Sequence, residues 1–131
     1  MIDRYRFKNE VEQLVALLNA TRDLAFLTDN YLSLKLKIDK RGLRGERFYT
    51  AEPPQDQKNL YKKVVLKTLS HCCLDHKKKR NIDLDFTQDG WVIEGKTLHL
   101  SYKGKYHCYI DLEETPFFKQ RLKPFNKACS L

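Results

Sequence analysis

Glycine, proline, methionine and tryptophan are all scarce: five, four, one and one in 131 residues. So little Gly and Pro, beside 41% hydrophobic and 32% charged residues, excludes a low-complexity or disordered chain and predicts a folded, soluble one. Long apolar runs are missing too. Nowhere do about 18 apolar residues follow one another, so no membrane-spanning helix and no membrane partner are expected. The Met1 end has no signal-peptide pattern, because Asp3, Arg4, Arg6 and Lys8 crowd it with charge, and the expected location is cytoplasmic. Cysteine is limited to Cys72, Cys73, Cys108 and Cys129. Two adjacent cysteines suit a disulfide framework badly, so reduced thiols are expected.

Excess charge is absent from both ends of the chain. Residues 1–39 hold six basic and six acidic side chains, and residues 81–131 hold seven of each. Residues 40–80 hold twelve basic and four acidic, so this segment alone carries the net charge of +8. Such segregation points to a polyanionic partner, most often nucleic acid; a solvated helix face produces a weaker version of it.

The length fits a single domain, residues 1–131, around one modest core. Residues 82–112 read as four short antiparallel strands. Ile82, Leu84 and Phe86 share a face under strand alternation. A turn of Thr87, Gln88, Asp89 and Gly90 sets Phe86 opposite Trp91 and Leu84 opposite Ile93. A second turn at Gly95 and Lys96 sets Ile93 opposite Leu98 and Trp91 opposite Leu100. A third, over Lys103, Gly104 and Lys105, sets Tyr102 opposite Tyr106, Leu100 opposite Cys108 and Leu98 opposite Ile110. All three agree on one apolar face. The reverse face is polar, with Asp83, Asp85, Glu94, Thr97, His99, Ser101, His107, Tyr109 and Asp111, and Val92 as its apolar exception.

Phe7, Val11, Leu14, Leu18, Thr21 and Ala25 recur at spacings of four and three, which predicts a helix from about Asp3 to Leu27. Leu32, Leu34, Leu36 and Ile38 alternate with Ser33, Lys35 and Lys37, predicting a fifth strand, and its outward lysines suit a sheet edge. Residues 40–54 read as a loop. A second helix is predicted over residues 54–77, with Leu60, Tyr61, Val64, Val65, Thr68, Leu69, Cys72, Cys73 and His76 as its buried stripe. Thr115 and Pro116 open a short helix ended by Pro124, and residues 126–131 are expected to form a loose tail. The predicted class is α+β: an antiparallel meander of four to five strands, packed on one face by two main helices, with a short C-terminal helix.

The loop is the first candidate contact. Gly42 and Gly45 let backbone approach phosphates closely, Lys40, Arg41, Arg44 and Arg47 supply cations, and Tyr49 with Phe48 can stack on bases. A Gly-x-x-Gly loop of the KH type joins two helices, whereas this one follows a strand, so that match is rejected. Lys62, Lys63 and Lys67 face outward from the predicted helix. Lys77, Lys78, Lys79 and Arg80 exceed what a helix dipole needs, and form the second contact. His99, His107 and Tyr109 form a secondary face.

Catalytic and metal readings are weaker. Cys73 and His76 have a zinc-like gap near His71, Cys72, His107 and Cys108, but no second pair repeats a recognised spacing, so no metal or other cofactor is expected. Asp83, Asp85 and Glu94-Gly95-Lys96 resemble the acidic residue and Glu-x-Lys of metal-dependent nucleases. That pattern needs Glu and Lys on one strand, and here Gly95 and Lys96 make a turn. Small basic α+β endoribonuclease toxins are similar in general style only, although a His99, His107 and Tyr109 face permits acid–base chemistry. The expected function is non-catalytic binding of nucleic acid, DNA or RNA, through residues 40–80. Alternatives are a protein-interaction module, inhibitor or accessory subunit, that meets an acidic protein surface, and a metal-independent endoribonuclease.

Overall fold

The computed structural model describes residues 2–39, 42–49, 65–69, 73–74, 81–87, 92, 97–112 and 125–130. Its elements run α1 (Ile2–Thr28), β1 (Leu32–Asp39), β2 (Gly42–Tyr49), β3 (Val65–Leu69), β4 (Cys73–Leu74), β5 (Asn81–Phe86), β6 (Thr97–Tyr102), β7 (Tyr106–Asp111) and β8 (Asn126–Ser130). One long helix lies with two small antiparallel sheets, ordered β3-β2-β1-β5 and β4-β6-β7-β8, in an α+β arrangement.

The helix forms where the apolar spacing predicts it. Phe7, Val11, Leu14, Leu18, Thr21 and Ala25 are all buried, and Asp3 places an acidic side chain in the first turn. Two buried hydroxyls stay satisfied inside the helix: Thr21 Oγ1 donates to the Leu17 carbonyl at 2.8 Å and Thr28 Oγ1 to the Leu24 carbonyl at 2.6 Å. Asp29 stops it with φ of +53°, while Asn30 N–H reaches the Ala25 carbonyl at 3.1 Å and Asp29 N–H the Phe26 carbonyl at 3.3 Å. This is the paired closure of a Schellman end, with aspartate where glycine is usual.

The first sheet follows the alternation of β1. Leu32, Leu34 and Leu36 are fully buried while Lys35 and Lys37 are exposed. β1 is nevertheless central, between β2 and β5, which corrects its reading as an edge. Outward lysines mark a solvent face, and a central strand has one as readily as an edge strand. The loop expected over residues 40–54 is also corrected, because Gly42–Tyr49 is β2, paired along β1 from Asp39↔Gly42 to Leu32↔Tyr49. The predicted second helix is broken by strands: Val65–Leu69 pairs with β2, and Cys73–Leu74 pairs with β6. β-Branched Val65 and Thr68 suit the pleated surface, and pairing with β2 overrides the helical spacing. The rest of that expected helix lies outside the described residues.

Among the described residues, the last hairpin of the predicted meander stands as drawn. Tyr102↔Tyr106, Leu100↔Cys108 and Leu98↔Ile110 are all in register. The turn between them holds Lys103 at φ +52° and Gly104 at φ +66°, and Lys105 N–H bonds the Tyr102 carbonyl at 3.0 Å. Positive φ at both central positions is the type I′ geometry. Lys103→Asn, which creates the preferred Asn-Gly pair, is expected to raise stability by about 0.5 kcal/mol, read by urea unfolding.

Further back the meander is corrected. β5 pairs with β1 along its length; Asp83 stands opposite Lys35, and Ser33 Oγ donates to Asp85 Oδ1 at 2.6 Å. Phe86 bridges Val92 and not Trp91, and Val92 is buried, so its place on the polar face is overturned by one residue of slip. Leu100 stands opposite Leu74, which replaces the expected Trp91. Trp91, Ile93 and the turns at 88–90 and 95–96 lie outside the described residues, as does the predicted helix at 115–123.

The expected loose tail is a strand. β8 pairs with β7 through Ile110↔Lys127 and Cys108↔Cys129, and a disulfide joins those two cysteines. This corrects the expectation of reduced thiols for that pair. Lys127 forms an ion pair with Glu12 of α1. Partial burial, and after it the nearby Lys8, pull the Lys127 ammonium below its ordinary value in spite of that partner. Just ahead of β8, the Phe125 N–H bonds Asn19 Oδ1 at 3.2 Å and the Arg22 guanidinium lies 5.0 Å over the Phe125 ring. Arg22, 2% exposed, is the one charged side chain buried among the described residues, and also bonds Asp23 at 3.4 Å. Buried side chains of α1 and both sheets form one cluster, which includes Leu34, Leu84, Phe86, Leu98, Leu100, Ile110 and Phe125.

Candidate functional site

The outer face of the β6–β7 hairpin gathers the imidazoles and one phenol. Alternation puts Leu98 and Leu100 inside, so His99 and Ser101 fall outside; on β7 it puts Cys108 and Ile110 inside, leaving His107 and Tyr109 outside. Register then sets His99 opposite Tyr109 and His107 opposite Ser101, as the sequence predicts.

The side chains cross the diagonal of that ladder. His99 Nε2 and His107 Nδ1 share a hydrogen bond at 2.9 Å, and His107 Nε2 lies 3.1 Å from the Gly104 carbonyl. A carbonyl only accepts, so His107 Nε2 carries hydrogen; in the neutral pair His107 Nδ1 is the acceptor and His99 Nε2–H the donor. The His99 ring lies nearly parallel to Tyr109, at 9° and 4.3 Å between centroids, and 5.1 Å from the His107 ring at 27°. With 2.9 Å between the bonded nitrogens and 5.1 Å between centroids the two imidazoles lie edge to edge, so His99 stacks face to face on Tyr109 and His107 ties that pair to the turn. Tyr109 keeps 44% of its surface exposed.

Lys103 and Lys105 leave the turn toward Tyr102 and Tyr106, the inward-facing pair, and not toward these rings. Both are exposed, with Nζ 5.3 Å from the Tyr102 centroid and 5.5 Å from that of Tyr106, respectively.

The other predicted contacts are dispersed. Arg44, Arg47 and Tyr49 belong to β2 and Lys67 to β3, so they are strand positions and not loop ones. Arg44 stands opposite Lys37 and Arg47 opposite Leu34. An odd spacing within one strand gives them register positions on alternate rows. Lys37 is exposed, and two cations in direct cross-strand register are unfavourable unless an anion sits near. Lys40, Arg41, Lys62, Lys63, Lys77, Lys78, Lys79 and Arg80 lie outside the described residues.

Among the described residues, no group of three or more His, Cys, Asp or Glu is placed to hold a metal ion. Cys108 is oxidised to the disulfide and has no thiolate to offer. Asp83, read against Glu94 in the nuclease comparison, faces Lys35 instead. No described helix is long and apolar enough to cross a membrane. No protein-family model, curated protein or solved structure matches this chain.

Proposed function

We propose that this chain is a small, basic, non-catalytic nucleic-acid-binding module whose phosphate contacts come from residues 40–80. The observation that carries the reading is the Lys37↔Arg44 register at the end of the β1–β2 hairpin. Two cations opposed across strands, with Lys40 and Arg41 next to them in sequence, form a site whose repulsion a phosphate chain relieves. The confinement of the whole +8 to residues 40–80 supports the same conclusion. Lys62, Lys63, Lys67 and the Lys77, Lys78, Lys79, Arg80 run extend the proposed footprint.

Binding to a short DNA and a short RNA across a salt series tests it. The parent is expected to show a steep negative slope of log affinity against log salt. Replacing Lys37, Arg41 and Arg44 together by glutamine, or residues 77–80 by serine, is expected to flatten that slope by about one unit per lost phosphate contact. Folding should persist, since exposed charges contribute little to stability. Folded variants that bind like the parent, or a parent that binds nothing at low salt, would leave the alternative of an acidic protein partner in its place.

Metal-independent RNA cleavage draws on the His99 and His107 pair. The bond between them argues against it: the two nitrogens an acid–base mechanism would aim at opposite sides of a scissile phosphate are aimed at each other. Single-stranded RNA is accordingly expected to survive incubation intact. Cleavage lost on His99→Ala would reverse the assignment.

A further inference from the structure

We infer that the His99–Tyr109 stack, with His107 bonded to its edge, is a subsite for single-stranded nucleic acid whose strength is set by one proton shared between the two histidines. The inference rests on the nucleic-acid reading above and assigns a ligand form and a control to a different face.

The stack has an open end. Across β7, Tyr109 is flanked by His99 on one side and, in the register of β8, by Ala128 on the other. One ring face is therefore covered by an imidazole, whereas the other looks over an exposed methyl group on an edge strand. A nucleobase laid there continues the stack as a third ring. Base–aromatic stacking is tolerant of sequence but needs an unpaired base, which a duplex withholds.

The proton follows from the tautomers. With Nε2–H of His107 committed to Gly104, the neutral pair has one hydrogen in the bond between the rings. One added proton makes the pair a cation with that bond intact. A second would point two N–H groups at each other across 2.9 Å, so the pair must part to accept it. The bonded pair thus switches between charges of zero and plus one. Among the described residues of β6, β7 and β8, the charged group on this side is Asp111; the Lys103 and Lys105 ammonium groups lie over Tyr102 and Tyr106 of the opposite row, Tyr109 is the remaining titratable neighbour on β7, and Cys73 of β4 stands in register with Ser101. The β8 partners on this face, Ser130, Ala128 and Asn126, carry no side-chain charge. The one imidazolium then offsets Asp111 and is the cation that this side offers the phosphate accompanying the stacked base.

Binding of a fluorescein-labelled oligothymidylate, and of its duplex with oligoadenylate, at about pH 8 and about pH 5.5 tests this. The single strand is expected to bind about five- to tenfold tighter at the lower pH, the size of one charge-assisted contact. His71 and His76 lie in the basic segment and can add their own pH dependence, so the decisive quantity is how much of the ratio His99→Gln and His107→Gln remove. Both should remove most of it, and Tyr109→Ala should weaken single-strand binding about tenfold at either pH while changing duplex binding little. Folding of each variant is checked by the amide spectrum of the β6–β7 hairpin. ¹⁵N imidazole spectra of the parent, with no ligand present, should show one proton taken up jointly by the two rings. Two independent uptakes, or variants that keep the parent's pH ratio, overturn the shared-proton switch while the basic-segment reading stands. Equal loss of duplex and single-strand binding in Tyr109→Ala overturns the stacking subsite. A parent that binds no nucleic acid at low salt overturns both readings.

Discussion

Phe86→Ala is expected to lower the free energy of unfolding by about 3–5 kcal/mol, the range for truncating a fully buried phenylalanine. The ring is 0% exposed and stands where several parts of the fold meet. It ends β5 opposite Leu32 of β1, bridges to Val92, and lies 6.5 Å from Phe125 at an interplanar angle of 58°. Removing it leaves a cavity whose walls belong to separate segments and cannot close by one side chain turning. Urea unfolding followed by tryptophan fluorescence and by circular dichroism measures the loss. A Phe86/Phe125 double-mutant cycle should also show coupling of about 0.5–1.5 kcal/mol beyond area burial. A loss below about 1 kcal/mol would place Phe86 outside the core.

Breaking the Cys108–Cys129 bond is expected to cost about 3 kcal/mol. The bond closes a loop with a sequence separation of 21, and the chain-entropy relation gives a value of that order for such a loop. Cys129 is exposed on β8 whereas Cys108 is fully buried, so Cys129→Ser removes the bond without opening the core. Dithiothreitol on the parent should lower stability by the same amount as Cys129→Ser in oxidising buffer, and should have no further effect on that variant. Free thiols counted on the denatured, oxidised protein give an independent check: two fewer than four cysteines. A reducing cytoplasm would leave β8 held by its pairing with β7, by the Lys127–Glu12 ion pair and by the Phe125 anchor beside it. Equal stability with and without reductant would show that the bond does not form in solution.

Legibility of the fold tracked how locally each element is specified. The α1 stripe, the β1 alternation and the β6–β7 register are set by neighbours in sequence, and each reads correctly from spacing alone. β2 does not, since Gly42, Arg44, Gly45 and Arg47 carry loop composition and the strand exists because β1 pairs with it. β3 fell inside a stretch whose apolar spacing fits a helix as well as a strand, and only pairing with β2 decides. β8 is short, polar at most positions and defined by β7; the disulfide depends on that pairing and leaves no trace in cysteine spacing. The site divides in the same way. Alternation puts His99, His107 and Tyr109 on one face, but the His99–His107 bond runs diagonally to the register, and directly opposed pairs alone do not reveal it.

The central position of β1 has a consequence for the order in which the chain is made. Its partner on one side, β2, follows almost at once, but its partner on the other, β5, arrives late: Ser33 and the Asp85 it bonds are 52 residues apart. At ordinary rates of synthesis that gap amounts to about three to ten seconds. During it, α1 and the β1–β2 hairpin exist with one edge of β1 unpaired and with Leu32, Leu34 and Leu36 lacking the cover that β5 will bring. Nascent chains halted before residue 81 should therefore be the aggregation-prone species of this protein, and chains extended past Phe86 should not.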